Sequence, residues 1–168
     1  MQDRAQLAAE QWQRQRPDLD AHSMAVIGRL GELNQVISRD HLLPFFAAHG
    51  LQAGEFDLLA TLRRAGEPYA LMPTALYESA MISSGGMTSR IDRLEKAGLI
   101  ERRKHPSDRR GVLVALTPAG FELIDGMLEA HVANLQRVLS GLTAAEQQTL
   151  HELTGKLLAG LAECEGGR

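Results

Sequence analysis

The chain has 168 residues and a net charge of −3, with 44% hydrophobic and 4% aromatic residues. That length suits one domain with a sizeable core, or one domain that carries dimerisation helices. A single cysteine, Cys164, excludes a disulfide framework or a cysteine-rich metal cluster and fits a reducing cytoplasm. The polar N-terminus lacks the apolar stretch of a signal peptide, and no run is long and apolar enough to span a bilayer, so a soluble, cytoplasmic protein without membrane contact is expected.

Residues 3–16 are rich in Ala, Gln, Glu and Arg and form a helix by propensity, which Pro17 stops. Asp18 or Asp20 caps the next helix, over residues 22–49. There Met24, Ile27, Leu30, Leu33 (or Asn34) and Ile37 recur at helical spacing, Pro44 kinks or breaks the run, and His49-Gly50 closes it. Residues 51–65 form a third helix that buries Phe56, Leu59 and Leu62 and ends at Gly66. A linker over residues 67–70, with room for a very short strand, leads to a short helix that opens at Pro73 and runs to Ala80.

The stretch over residues 83–117 organises the rest. Met87, Ile91 and Leu94 form one apolar stripe at i, i+4 and i+7, with Ser83 as a helix cap and Gly98 where the helix ends. Opposite the stripe lie Ser84, Thr88, Ser89, Arg90 and Arg93. Two β-prone runs follow, residues 99–103 and 111–116, around a basic turn at residues 104–110 that includes Asp108, Arg109 and Arg110. After it, Thr117-Pro118 starts a helix that reaches Ser140 and turns Phe121, Ile124, Leu128, Leu135 and Leu139 inward; Gly141 breaks it. Thr143 and Glu146 make a capping box for a final helix along Leu150, Leu153, Leu157 and Leu161, and residues 165–168 fray.

A helix with a polar outer face followed by a basic hairpin is the pattern of a winged helix-turn-helix, in which the helix enters the major groove of double-stranded DNA and the hairpin reaches the backbone or minor groove. The fold expected is mainly α with a small β-hairpin wing. Residues 1–17 form an extra helix, 18–50 an N-terminal dimerisation helix, 51–117 the DNA-binding domain, 118–163 the C-terminal dimerisation helices and 164–168 a disordered tail. Charge supports DNA as the partner. Residues 84–110 hold eight basic and four acidic side chains, a net +4, which leaves −7 for the remainder. The flanking helices carry more apolar surface than one small core covers, and a symmetric homodimer with interlocking terminal helices buries it.

Enzymatic motifs are missing: there is no Gly-x-Ser-x-Gly elbow, no phosphate-cradling glycine loop and no His-Glu-x-x-His, and no cofactor or metal site is expected. Two other readings stand beside DNA reading. One is a metal-responsive regulator using His22, His41, His49, His131 and His151, although their spacing resembles no dedicated site. The other is a winged helix used for protein contacts, whose binding would lack a steep salt dependence.

The run SSGGMTSRIDRLEKAGLIER and the wing DRRGVLVALTPAG resemble the MarR family of bacterial transcriptional regulators over residues 18–163. The resemblance implies a DNA face of Ser84, Thr88, Ser89, Arg90 and Arg93, with Asp108 bracing the wing, Arg110 entering the minor groove and Arg109 nearby. One departure is Met72, which stands where the short helix usually has a Ser or Thr cap. The helix bearing Trp12, together with GEFDLLATLRRAG, resembles the urate-responsive, PecS-like branch of that family. By that resemblance Trp12, Asp57, Arg90 and Arg102 bind a small planar anion such as urate, whose binding releases a repressor from a pseudo-palindromic operator. A carboxylate inside an apolar helix, as at Asp57, needs a cationic partner, and a planar anion suits a tryptophan face and an arginine fork. The same residues also suit a structural role, with Trp12 as an anchor and Asp57 in an ion pair.

Overall fold

A computed structural model describes residues 3–80, 86–108 and 111–166. The elements follow in the order α1 (Arg4–Gln15), α2 (Ala21–Val36), a π-helical turn (Ile37–Leu42), α3 (Leu43–Ala48), α4 (Glu55–Arg64), β1 (Ala70–Leu71) and α5 (Pro73–Ser79). They continue with α6 (Met87–Lys96), β2 (Ile100–Lys104), β3 (Val112–Leu116), α7 (Pro118–Leu139) and α8 (Ala144–Gly166). The chain divides into two compact units, residues 1–129 and 130–168.

Helix starts follow local chemistry. Asp3 caps α1 by accepting from the Gln6 amide at 2.9 Å. Asp20, rather than Asp18, caps α2 by accepting from the Ser23 amide at 3.2 Å, while Asp18 pairs with Arg16 at 2.7 Å. The kink or break expected at Pro44 in the run over residues 22–49 lies just ahead of it. The backbone widens into the π-helical turn, and Pro44 follows at the second position of α3. Helix α4 starts at Glu55 rather than at residue 51, because Gly54 adopts a left-handed φ of 78° immediately before it. Leu51 is still buried, in the turn that precedes α4.

The three strands form an antiparallel sheet in the order β1-β3-β2. Ile100 pairs with Leu116, Arg102 with Val114 and Lys104 with Val112, so the hairpin is in register from base to tip. Beneath it lies one core of Phe46, Phe56, Leu58, Leu59, Leu62, Leu76, Met87, Ile91, Leu94, Ile100, Val114, Ile124 and Met127. The expected stripe of α6 is all in this core. On α7 Ile124 and Met127 are fully buried and Asn134 is buried farther along the helix, while Phe121, Leu128, Leu135 and Leu139 are half-buried.

The base of the wing is locked to α7 through backbone and hydroxyl contacts. Thr117 N–H donates to the Leu99 carbonyl at 3.1 Å, and its hydroxyl donates to the Gly98 carbonyl at 2.7 Å while accepting from the Gly120 amide at 3.1 Å. A Cβ on Gly120 would collide with the Leu99 carbonyl oxygen, so glycine is needed where α7 crosses the start of β2.

Helix α1 lies on α2 along a seam of small residues, Ala9, Ala21 and Ala25, flanked by ion pairs from Arg29 to Asp3 (2.8 Å) and from Arg4 to Glu32 (2.7 Å). The other side of α2 is apolar and open to solvent: Ile27 is 61% exposed and Leu33 47%. Within the second unit, α8 starts at the expected capping box, with the Thr143 amide donating to Glu146 Oε2 at 2.8 Å. Its Leu153, Leu158 and Leu161 are 60%, 68% and 56% exposed.

Candidate nucleic-acid interface

Helix α6 is held so that one face is buried and the other two reach its neighbours. Its cap is Gly86 in the left-handed conformation (φ 82°); Ser83 and Ser84, expected as cap and DNA contact, lie outside the described residues. Thr88 and Ser89 are exposed on the outward face, and the Ser89 hydroxyl donates back to the Gly86 carbonyl at 2.8 Å.

Arg90 and Arg93, one turn apart, both turn back onto the start of α4. Arg90 Nε donates to the Ala53 carbonyl at 3.2 Å, and its guanidinium lies so close to Gly54 that any side chain there would meet it. Arg93 forms an ion pair with Glu55, Nη2 standing 3.0 Å from Oε1 and 3.2 Å from Oε2. Glu55 is 2% exposed and also accepts from the Gln52 amide at 2.6 Å. The first turn of α4 therefore clasps two arginines of α6. Asp57, half-buried, belongs to that same turn, two residues after Glu55.

Arg102, on β2, is held from the other flank of α6. It pairs with Asp92 at 2.6 Å and with Glu95. The hydrogen bond to Asp92, helped by the charge of Glu95, pushes the guanidinium pKa above its ordinary value. Carboxylates at i and i+3 on the helix thus tie the wing strand to it. Trp12 is 48% exposed in the last turn of α1, where its carbonyl accepts from the Arg16 amide. Of the four residues implied for an anion site, Arg90 rests on Ala53 and Gly54, immediately before the helix that carries Asp57. Arg102 is occupied by its two carboxylates.

At the wing tip, Asp108 is exposed and its carbonyl accepts from the Gly111 amide at 3.0 Å. Arg109 and Arg110 lie outside the described residues. Glu55, and Asp92 and Glu95, which entered the sequence reading only as part of the charge count, hold the arginines. No local signal pointed to Glu55 or to its partner, because the helix it opens is capped by Gly54 without a side-chain bond. Among the described residues no three His, Cys, Asp or Glu side chains gather as a metal site, and no helix is long and apolar enough to cross a membrane.

Helix, hairpin and basic residues in this order define a winged helix-turn-helix, and comparison with known proteins agrees. The profile of the MarR family matches residues 51–112. The chain is 43% identical over 148 residues to the HTH-type transcriptional regulator PecS of Dickeya dadantii, covering 88% of this chain and 89% of PecS. It is similar to Sco3205 of Streptomyces coelicolor, a MarR family transcriptional regulator solved in complex with DNA, with TM-score 0.75 and 28% identity over 85% of this chain and 89% of that one. It is also similar to BpsR of Bordetella bronchiseptica, whose DNA binding is regulated by 6-hydroxynicotinic acid, with TM-score 0.62 and 28% identity over 77% and 98% of the two chains. The chain belongs to the MarR family of DNA-binding transcriptional regulators.

Proposed function

We propose that the chain is a repressor that binds a pseudo-palindromic operator as a homodimer and is released by a small planar anion such as urate. The apolar faces left open on α2 and on α8 support the dimer, because a second copy offers the same surfaces in return. Two copies of α6 spaced about 34 Å apart match successive major-groove faces, with Ser84, Thr88, Ser89, Arg90 and Arg93 toward the bases and backbone and Asp108, Arg109 and Arg110 at the wing.

The observation that carries the ligand reading is the double position of Arg90. It belongs to the helix proposed to read DNA, and its side chain rests on Ala53 and Gly54, immediately before the helix that carries Asp57. An anion bound there with Asp57 and Trp12 draws on the same guanidinium that DNA needs. It also competes with Asp92 and Glu95 for Arg102, which loosens the wing strand from the helix. The likeness to PecS over most of the chain, and the regulation of BpsR by an aromatic acid, favour a planar anionic effector.

The test is a gel shift on duplex DNA from upstream of the protein's own gene, with and without urate. Urate is expected to weaken binding by about 5–150-fold, the usual range of such coupling. Arg90→Ala and Asp57→Ala should abolish that response. An unchanged response in both variants removes the site assignment.

A further inference from the structure

Three donors converge on one imidazole nitrogen at the tip of the wing. Nδ1 of His105 lies 3.1 Å from the Asp108 backbone nitrogen, 3.3 Å from that of Ser107 and 3.3 Å from the Ser107 hydroxyl. The two backbone groups only donate, so Nδ1 is the acceptor and the ring is the neutral tautomer with its hydrogen on Nε2. His105 also closes the hairpin, its own amide donating to the Gly111 carbonyl at 2.9 Å. A Cβ added at Gly111 would stand 2.8 Å from the His105 Cβ and 3.2 Å from the Asp108 carboxylate, so the turn is packed around the imidazole.

We propose that His105 is the positioning residue of the wing: its unprotonated Nδ1 holds the turn that leads into Arg109 and Arg110, and protonation of the ring opens that turn. On protonation Nδ1 gains a hydrogen that faces two N–H groups, and both bonds are lost. Asp108 is the acidic group beside the ring; Lys104 precedes it on β2, Arg109 and Arg110 follow Asp108 in the chain, and β3 begins with the uncharged Val112 and Leu113. The inference rests on the wing as a DNA contact, and it runs against simple charge. Added positive charge alone would strengthen binding to phosphates in acid, whereas an opened turn weakens it.

The test compares wild type, His105→Asn and His105→Ala on the same upstream duplex between about pH 8 and pH 5.5, which spans the imidazole range. Asn places Oδ1 at the position of Nδ1 and does not titrate. At the higher pH the Asn variant is expected within about twofold of wild type and the Ala variant about tenfold weaker, the scale of one or two lost hydrogen bonds. As pH falls, the affinity of wild type relative to the Asn variant should drop several-fold. In the free protein the Ser107 and Asp108 amide resonances should follow the titration of the His105 ring. A ratio that stays flat or rises, an Ala variant that binds as well as wild type, or amides that ignore the ring overturns the proposal. If wild type binds no duplex, the DNA-reading account fails, and the amide titration still decides the turn.

Discussion

Arg93 of α6 and Glu55 of α4 form an ion pair in which the carboxylate is 2% exposed and the arginine side chain 43%. The pair is asymmetric, and so are its two deletions. Arg93→Ala leaves a buried carboxylate with one amide donor, whereas Glu55→Ala leaves an arginine that water can still reach. Both should lower stability, Glu55→Ala by about 1–3 kcal/mol and Arg93→Ala by at least as much, in chemical denaturation. If Arg93 only contacted DNA, its removal would leave the denaturation midpoint unchanged.

Gly120 offers a sharper packing test, because its absent Cβ is what lets α7 cross the Leu99 carbonyl. Gly120→Ala should destabilise the fold by about 1–3 kcal/mol, the scale of a forced backbone shift, although alanine is the better helix former. A thermal midpoint equal to or above that of wild type would contradict the close approach.

The bridge from Arg102 to Asp92 and Glu95 is half open to water, with side-chain exposures of 39%, 58% and 36%. Solvent screening limits its worth to roughly 0–1 kcal/mol. Arg102→Ala should therefore leave the denaturation curve almost unmoved while blunting release from DNA by urate. A large loss of stability with an intact urate response would reverse the assignment, making the bridge structural.

Arg110, proposed to enter the minor groove, is tested by salt. Arg110→Ala should weaken operator binding and lower the slope of log affinity against log salt by about one for a lost phosphate contact. A slope identical to that of wild type would remove Arg110 from the interface.

Carboxylate caps set the acid limit of the helices. Asp3 is held below its ordinary pKa of 3.8 by the Gln6 amide and then Arg29, and Asp20 below 3.8 by the Ser23 hydroxyl and amide. The Thr143 amide and then its hydroxyl hold Glu146 below 4.5. A depressed folded pKa contributes stability that is present above the unfolded value and lost as pH falls through the folded one. Helicity should thus be flat from neutrality down to about pH 4.5 and fall below about pH 4. Asp3→Asn and Glu146→Gln should each reduce that acid-dependent loss in far-ultraviolet circular dichroism.

Local chemistry made much of this protein legible. The stripe Met87, Ile91, Leu94, the capping box at Thr143 and Glu146, and the basic hairpin all depend on residues within a few positions of one another. The same reasoning misplaced the start of α4, since the left-handed Gly54 cuts a run whose apolar spacing extends back to Leu51. It did not show that Arg93 also turns back onto Glu55, because a helical wheel records which face a side chain leaves from and not where a long, flexible one comes to rest. Periodicity and capping are properties of a short segment, and from them the sequence by itself determined the order of helices, the hairpin and the concentration of positive charge. Which carboxylate holds which arginine was decided by the tertiary structure alone. Arg93 and Glu55 are 38 residues apart and meet only after α4 and α6 have packed, and long-range pairing of that kind follows from how buried faces fit together, which no local pattern encodes.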